Sequence, residues 1–258
     1  MANKLFFTER SEQAVQPKAK ALFSIAAEKK SNLILSADVT DKSTLLDLAR
    51  TLGPRLCALK THIDIVDDAD LDFCRELKAI AKQQQFLIIE DRKCADIGHT
   101  TLLQMTHGAF RFTEWVDMIT VHSLPGASII QAFSEVNPCI GVLLLAQMSS
   151  KENFFTPAYT QKTTELAKKY PDIVAGTIAQ NNTHLPPSYV VITPGVQLLT
   201  DNDRLGQQYR TPQTAICEQG CDFVIVGRGI INAPSPLETA IQYQQSALDA
   251  YQSLCHSC

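Results

Sequence analysis

The chain has 258 residues, 45% of them hydrophobic and 19% charged. This suits one well-packed domain near the usual size of a β/α barrel and excludes a disordered chain or a minimal domain. The formal net charge of -4 argues against broad nucleic-acid binding but leaves room for a local basic pocket that takes one small anion. No signal peptide is visible in residues 1–10, and the longest apolar run, around 140–146, is too short to span a bilayer; the chain is expected to be cytoplasmic, with no membrane partner.

In chain order, an amphipathic segment at 11–29 comes first. It reads as part of an N-terminal helical extension (about 8–30) that plugs the bottom of a sheet. Short apolar runs then recur at 33–37, 56–59, 86–89, 118–121, 140–145, 174–178, 189–192 and 223–226. They are rich in Ile, Leu and Val and apolar on both faces, as strands of a parallel sheet covered on both sides are. Helical spacing predicts helices at 43–52, 71–84, 100–110, 126–136, 159–170, 212–219 and 236–251, whereas 180–187 is too short and Pro-broken for one. Eight β-α units in one run predict a closed (β/α)8 TIM barrel, a single domain over 1–258. The glycine fingerprint of a dinucleotide-binding sheet is missing after the first strand, where Ser36-Ala37-Asp38-Val39-Thr40 stands. The 8 Cys are scattered through a chain with no export signal and read as free thiols. Cys255-His256-Ser257-Cys258 has a zinc-like look, but a zinc site needs four ligands with a supporting fold and this is a terminus, so surface thiols are the better reading.

A β/α barrel builds its active site at the C-terminal ends of its strands. Those ends carry Asp38, Lys60, the group from Asp91 to Asp96, His122, Gln147 with Ser149, Gln180, Thr193-Pro194-Gly195 and Gly227-Arg228. The sharpest is Phe86-Leu87-Ile88-Ile89-Glu90-Asp91-Arg92-Lys93, four apolar residues running into four charges. Strand alternation sends Asp91 and Lys93 to one face and Glu90 and Arg92 to the other. With Asp96 one turn later, two carboxylates can surround one ammonium, holding Lys93 protonated as an acid catalyst. A surface salt-bridge cluster is the alternative. Phe223-Val224-Ile225-Val226-Gly227-Arg228-Gly229 runs from a strand into a Gly-Arg-Gly turn, after the eighth strand, where barrels commonly bind phosphate; a glycine-rich turn with a solvated Arg is the plainer alternative. The polar loop 197–209 reads as a lid over that site or as a passive surface loop.

These motifs, together with Leu59-Lys60-Thr61-His62, Asp91-Arg92-Lys93-Cys94-Ala95-Asp96-Ile97-Gly98, Thr193-Pro194-Gly195-Val196 and Leu205-Gly206-Gln207-Gln208-Tyr209-Arg210, resemble the orotidine 5′-monophosphate decarboxylase family, in order and over most of the chain. The resemblance implies cofactor-free and metal-free conversion of orotidine monophosphate to uridine monophosphate and carbon dioxide, the last step of de novo pyrimidine nucleotide synthesis. It implies that Lys93 protonates the ring carbon and that Asp91 lies against the departing carboxylate. Lys60 completes the charged array and, with Asp38, holds the ribose. It also implies phosphate contacts from Gln207, Tyr209, Gly227 and Arg228 and a base contact from Ser149. Finally, it implies a homodimer in which Asp96 and Thr100 serve the partner's site. Gln147-Met148-Ser149 departs from the family's usual Glu-Leu-Ser, Cys94 replaces an aromatic and His99 an Asn; none removes a charged group of the array.

Two rivals are distinguishable. A metal-dependent sugar-phosphate decarboxylase or aldolase of the same superfamily would want an acidic ligand on the second strand, where Lys60 stands. A non-catalytic nucleotide-phosphate-binding barrel would want a damaged array, and all its members are present.

Overall fold

Both-sided burial turns the apolar runs into the staves of a barrel. The computed structural model describes residues 4–137, 139–198 and 209–255. Its strands are β1 (Leu33–Ser36), β2 (Ala58–Thr61), β3 (Leu87–Cys94), β4 (Met118–His122), β5 (Gly141–Leu145), β6 (Val174–Ile178), β7 (Val190–Thr193) and β8 (Phe223–Val226). All pair in parallel and in sequence order, and β8 closes on β1 with Leu33 beside Val224 and Leu35 beside Val226. At Gly176 an added Cβ would overlap the Val190 main chain, so only glycine lets β6 and β7 approach there.

Helices α3 (Lys42–Leu52), α4 (Leu71–Gln83), α5 (Gly98–Thr106), α6 (Ala127–Val136) and α7 (Pro157–Lys169) form the outer layer. Side chains start several of them. Asp41 accepts from the Thr44 N–H at 2.7 Å, Asp70 from that of Phe73 at 2.8 Å, and Thr156 from that of Tyr159 at 3.2 Å. α4 buries the stripe its spacing predicts, Phe73, Leu77, Ile80 and Ala81, together with Cys74. A short α8 (Arg228–Ile231) and a long α9 (Pro236–Cys255) complete the layer.

The N-terminal segment differs from its reading as one amphipathic stretch. It is two helices, α1 (Phe7–Gln13) and α2 (Pro17–Lys29), because Pro17 cannot continue a helix but can open one. Gln16 caps α2, accepting from the Lys18 N–H at 2.5 Å. The pair lies against the N-terminal ends of β4 to β8. Phe7 stacks on Tyr251 at 4.0 Å and on Phe223 at 5.5 Å. Asp222, which precedes β8, is fully buried and holds Lys4 at 2.6 Å and the Arg10 guanidinium, and it accepts the Val191 N–H at 2.9 Å. Asp117, preceding β4, does the same with Lys18 at 2.7 Å, Lys78 at 2.6 Å and the Ile88 N–H at 2.9 Å.

Other boundaries move too, β2 from 56–59 to Ala58–Thr61 among them. β3 runs on through the charges to Cys94, with a register shift against β4 between Glu90 and Cys94. The helix read at 100–110 is displaced to Gly98–Thr106, stopping before Gly108, whose φ of 77° turns the chain. The segment at 212–219 contains a π-helical turn, Thr214–Glu218. Cys57, Cys74, Cys94, Cys139, Cys217, Cys221 and Cys255 are free thiols, whereas 256–258 of the zinc-like tail lie outside the described residues. Among the described residues no helix is long and apolar enough to cross a membrane.

Candidate active site

The C-terminal mouth of the barrel holds a cavity of about 290 Å³, lined by side chains from both halves of the sheet. On one side, strand alternation turns Lys60 of β2 and Asp91 and Lys93 of β3 inward. Lys60 Nζ and Lys93 Nζ each stand 2.9 Å from Asp91 Oδ2. Asp38, just past β1, lies 3.9 Å from Lys60 and accepts both contacts of the Ser36 hydroxyl, at 2.9 and 3.0 Å. The charges therefore alternate in a row: Asp38, Lys60, Asp91, Lys93. Thr120 of β4 donates to Asp91 Oδ1 at 2.8 Å and accepts the Lys93 N–H at 2.9 Å.

His62 belongs to this row, a role that its place in Leu59-Lys60-Thr61-His62 does not reveal. Its Nδ1 lies 3.0 Å from Asp38 and its Nε2 3.2 Å from Asp91, so the imidazole bridges both carboxylates. Those two hydrogen bonds raise its pKa above the ordinary histidine value against the pull of burial. Burial opposes the charge of Asp91, but Lys60, His62 and Lys93 outweigh it and hold its carboxyl well below the usual range. Asp38 is drawn down to about 2 in the same way, burial being outweighed by the His62 hydrogen bond and Lys60. His122, at the end of β4, goes the other way: burial and then Lys93 lower its pKa, and its ring lies tilted against Phe155 at 5.9 Å.

The opposite wall is glycine and arginine. Gly227 follows β8 directly, and a Cβ there would press on Ser36 at 3.2 Å, which favours glycine where the wall meets β1. Arg228 donates to the Tyr209 hydroxyl at 2.7 Å, and both line the cavity. Beneath Tyr209, Arg210 donates to the Thr193 hydroxyl at 2.6 Å and the Pro194 carbonyl at 3.0 Å, anchoring the chain where it returns to the barrel. Ser149 lines the cavity from the loop after β5, and Gln147 ties that loop to the next by accepting the Gln180 and Asn181 N–H groups at 2.8 and 3.0 Å. Gln207 lies outside the described residues.

Asp96 and Thr100 do not join the row within their own chain. Asp96 is exposed and accepts the Ile97 N–H at 2.8 Å, and among the described residues the ion pair of Lys93 is with Asp91. The expectation of two carboxylates around one ammonium is therefore corrected within the single chain: the turn after Cys94 carries Asp96 to the outer rim. It sits there in a shallow hollow shared with Ile97, Leu124 and Pro125. Among the described residues no group of three or more His, Cys, Asp or Glu has the geometry of a metal site.

A closed β/α barrel with an alternating lysine–aspartate row facing a Gly-Arg turn across its mouth has the architecture of the barrel enzymes. The chain matches the model of the orotidine 5'-phosphate decarboxylase / HUMPS family over residues 31–243, and it belongs to that family. The orotidine 5'-phosphate decarboxylase of Phycomyces blakesleeanus is 44% identical over 250 residues, covering 95% of this chain and 94% of the relative. That of Schizosaccharomyces pombe is 42% identical, covering 95% of each. Among solved structures, the orotidine 5'-monophosphate decarboxylase of Methanocaldococcus jannaschii complexed with the inhibitor BMP is similar with a TM-score of 0.65 and 24% identity, covering 84% of this chain and 98% of that one. That of Pyrococcus horikoshii gives 0.64 and 22%, over 85% and 99%. At these identities the likeness concerns the fold.

Proposed function

We propose that this chain decarboxylates orotidine 5′-monophosphate to uridine 5′-monophosphate and carbon dioxide, with no cofactor or metal, as the last step of pyrimidine nucleotide synthesis in the cytoplasm. The observation that carries the reading is the Asp38–Lys60–Asp91–Lys93 row facing Arg228 and Tyr209 across one cavity. The bond from the pyrimidine C6 to its carboxylate breaks, and the electron pair stays on C6. Lys93 stabilises that charge where it develops and delivers a proton to C6, and solvent then restores the ammonium. Asp91 is held ionised beside the substrate carboxylate, Lys60 and Asp38 hold the ribose, and Ser149 contacts the base. Gln207, Tyr209, Gly227 and Arg228 grip the phosphate, and binding energy from that remote group organises the row.

The active form proposed is a homodimer. Asp96 and Thr100 enter the partner's site, which accounts for an acidic side chain on an exposed rim beside Ile97, 64% exposed, and Leu124, 71% exposed. The test is the absorbance of orotidine monophosphate with purified protein in chelator and without added cofactor. Loss of the orotate band is expected. A folded protein that leaves the band unchanged sinks the proposal, and turnover that appears only with magnesium points instead to the metal-dependent branch.

A further inference from the structure

Glu90 follows the apolar run of β3, is fully buried, and faces away from the cavity. Its register partner on β2 is Thr61, whose hydroxyl donates to Oε2 at 2.6 Å. The Ile63 N–H donates to Oε1 at 3.1 Å. Among the described residues no lysine or arginine is within ion-pair distance of it. The titratable groups around it are His62 and Asp64 in the turn after β2, Cys74 on α4 and Cys94 further along its own strand. Burial pushes its carboxyl up to about 7, against the two hydrogen bonds.

A carboxyl group buried without a cation costs stability, and an apolar side chain would fill the space at less expense. What Glu90 gains is a grip on both sides of one residue. Thr61 and Ile63 flank His62, and His62 is the imidazole that bridges Asp38 and Asp91. Thr61 also follows Lys60 directly, so the same grip fixes the end of β2 from which Lys60 reaches Asp91.

We propose that Glu90 is a positioning residue: from behind the sheet, its buried carboxyl group pins the Thr61–His62–Ile63 turn and thereby sets where Lys60 and His62 meet Asp38 and Asp91. In the kinetic arm this rests on the decarboxylase reading; in the imidazole arm it rests on geometry alone.

The test compares Glu90→Gln, Glu90→Ala and Thr61→Val in the full chain, by NMR titration of His62 and by kcat and KM separately. Glutamine keeps acceptor and shape without charge, so a Coulombic effect of the carboxylate appears equally in both Glu90 variants, and the difference between them isolates position. Glu90→Gln is expected to keep the raised His62 titration and most of kcat. Glu90→Ala is expected to return His62 toward the ordinary histidine range and to lower kcat by ~10- to 100-fold with less change in KM, the size of a small misplacement of reacting groups. Thr61→Val should move both readouts the same way by less. A folded Glu90→Ala protein whose His62 titration and kcat match those of Glu90→Gln overturns the proposal. If the alanine variant does not fold, an unmoved His62 titration in Thr61→Val overturns it. If the wild-type protein proves not to turn over orotidine monophosphate, the His62 titrations still decide.

Discussion

Lys93 pits backbone conformation against the proposed chemistry. Its φ of 49° lies in the left-handed region, where any residue with a Cβ is strained, and it falls inside the register shift of β3 against β4. The surroundings hold it there: its N–H is bound to Thr120 and its ammonium to Asp91. Backbone strain kept in place by its neighbours is common where a side chain must be aimed. Removing the side chain leaves Asp91 with Lys60 at 2.9 Å and Thr120 at 2.8 Å, so no uncompensated buried charge results. Lys93→Ala is therefore expected to melt within ~3 °C of wild type while kcat/KM falls by ~1000-fold or more. Near-normal turnover would remove Lys93 from the chemistry.

Elements are held by the same kind of charge at the opposite end of the barrel. Asp222, just before β8, joins Lys4, α1 through Arg10, and β7 through the Val191 N–H. Burial disfavours its ionisation, yet Arg10 and Lys4 lower its pKa to about 2. An acid with a depressed folded pKa contributes stability that is complete above its unfolded value, near ~4, and is lost as pH falls through the folded one. Asp222→Asn strands two cations and is expected to cost ~3–5 kcal/mol, roughly 10 °C in melting temperature at pH 7. The gap to wild type should narrow as pH falls toward 2. An equal gap at pH 7 and pH 3 would show that packing, not charge, carries the effect.

The elements were also where the sequence spoke most clearly. Runs such as Val190–Thr193 and Phe223–Val226 read as strands because apolar residues on both faces leave few other folds. Periodicity alone hides the break at Pro17, and the charges after Ile89 hide the extension of β3, which ladder pairing with β4 carries to Cys94. His62, Thr120 and Glu90 were not legible as site residues, because their partners lie on neighbouring strands and only register brings them together. Asp96 followed the same logic in reverse: its spacing to Lys93 suggested a contact that the turn after Cys94 prevents within one chain.

The proposed dimer makes a prediction that one subunit cannot. If Lys93 serves its own site and Asp96 its partner's, a hybrid of Lys93→Ala and Asp96→Ala subunits contains one site with both side chains intact. Random mixing should restore about a quarter of wild-type sites from two inactive parents, under two-fold symmetry. No recovery after proven subunit exchange would place Asp96 outside the site.

The pairing of β1 with β8 bears on how the activity comes into being during folding. The lysine–aspartate row belongs to the first half of the chain and the Gly-Arg wall to the last quarter, and the two are joined along the β1–β8 seam, from Leu33 beside Val224 to Leu35 beside Val226. Bringing such distant segments together carries the loop-closure cost of a long chain, and contacts of that kind slow folding. A form with β1 to β4 docked and the seam open would hold the ammonium groups without the Gly-Arg wall that is proposed to grip the phosphate. Under that proposal, competence to bind and to react arrives in one event, when the ends of the barrel find each other, and a chain cut short of β8 is expected to have neither.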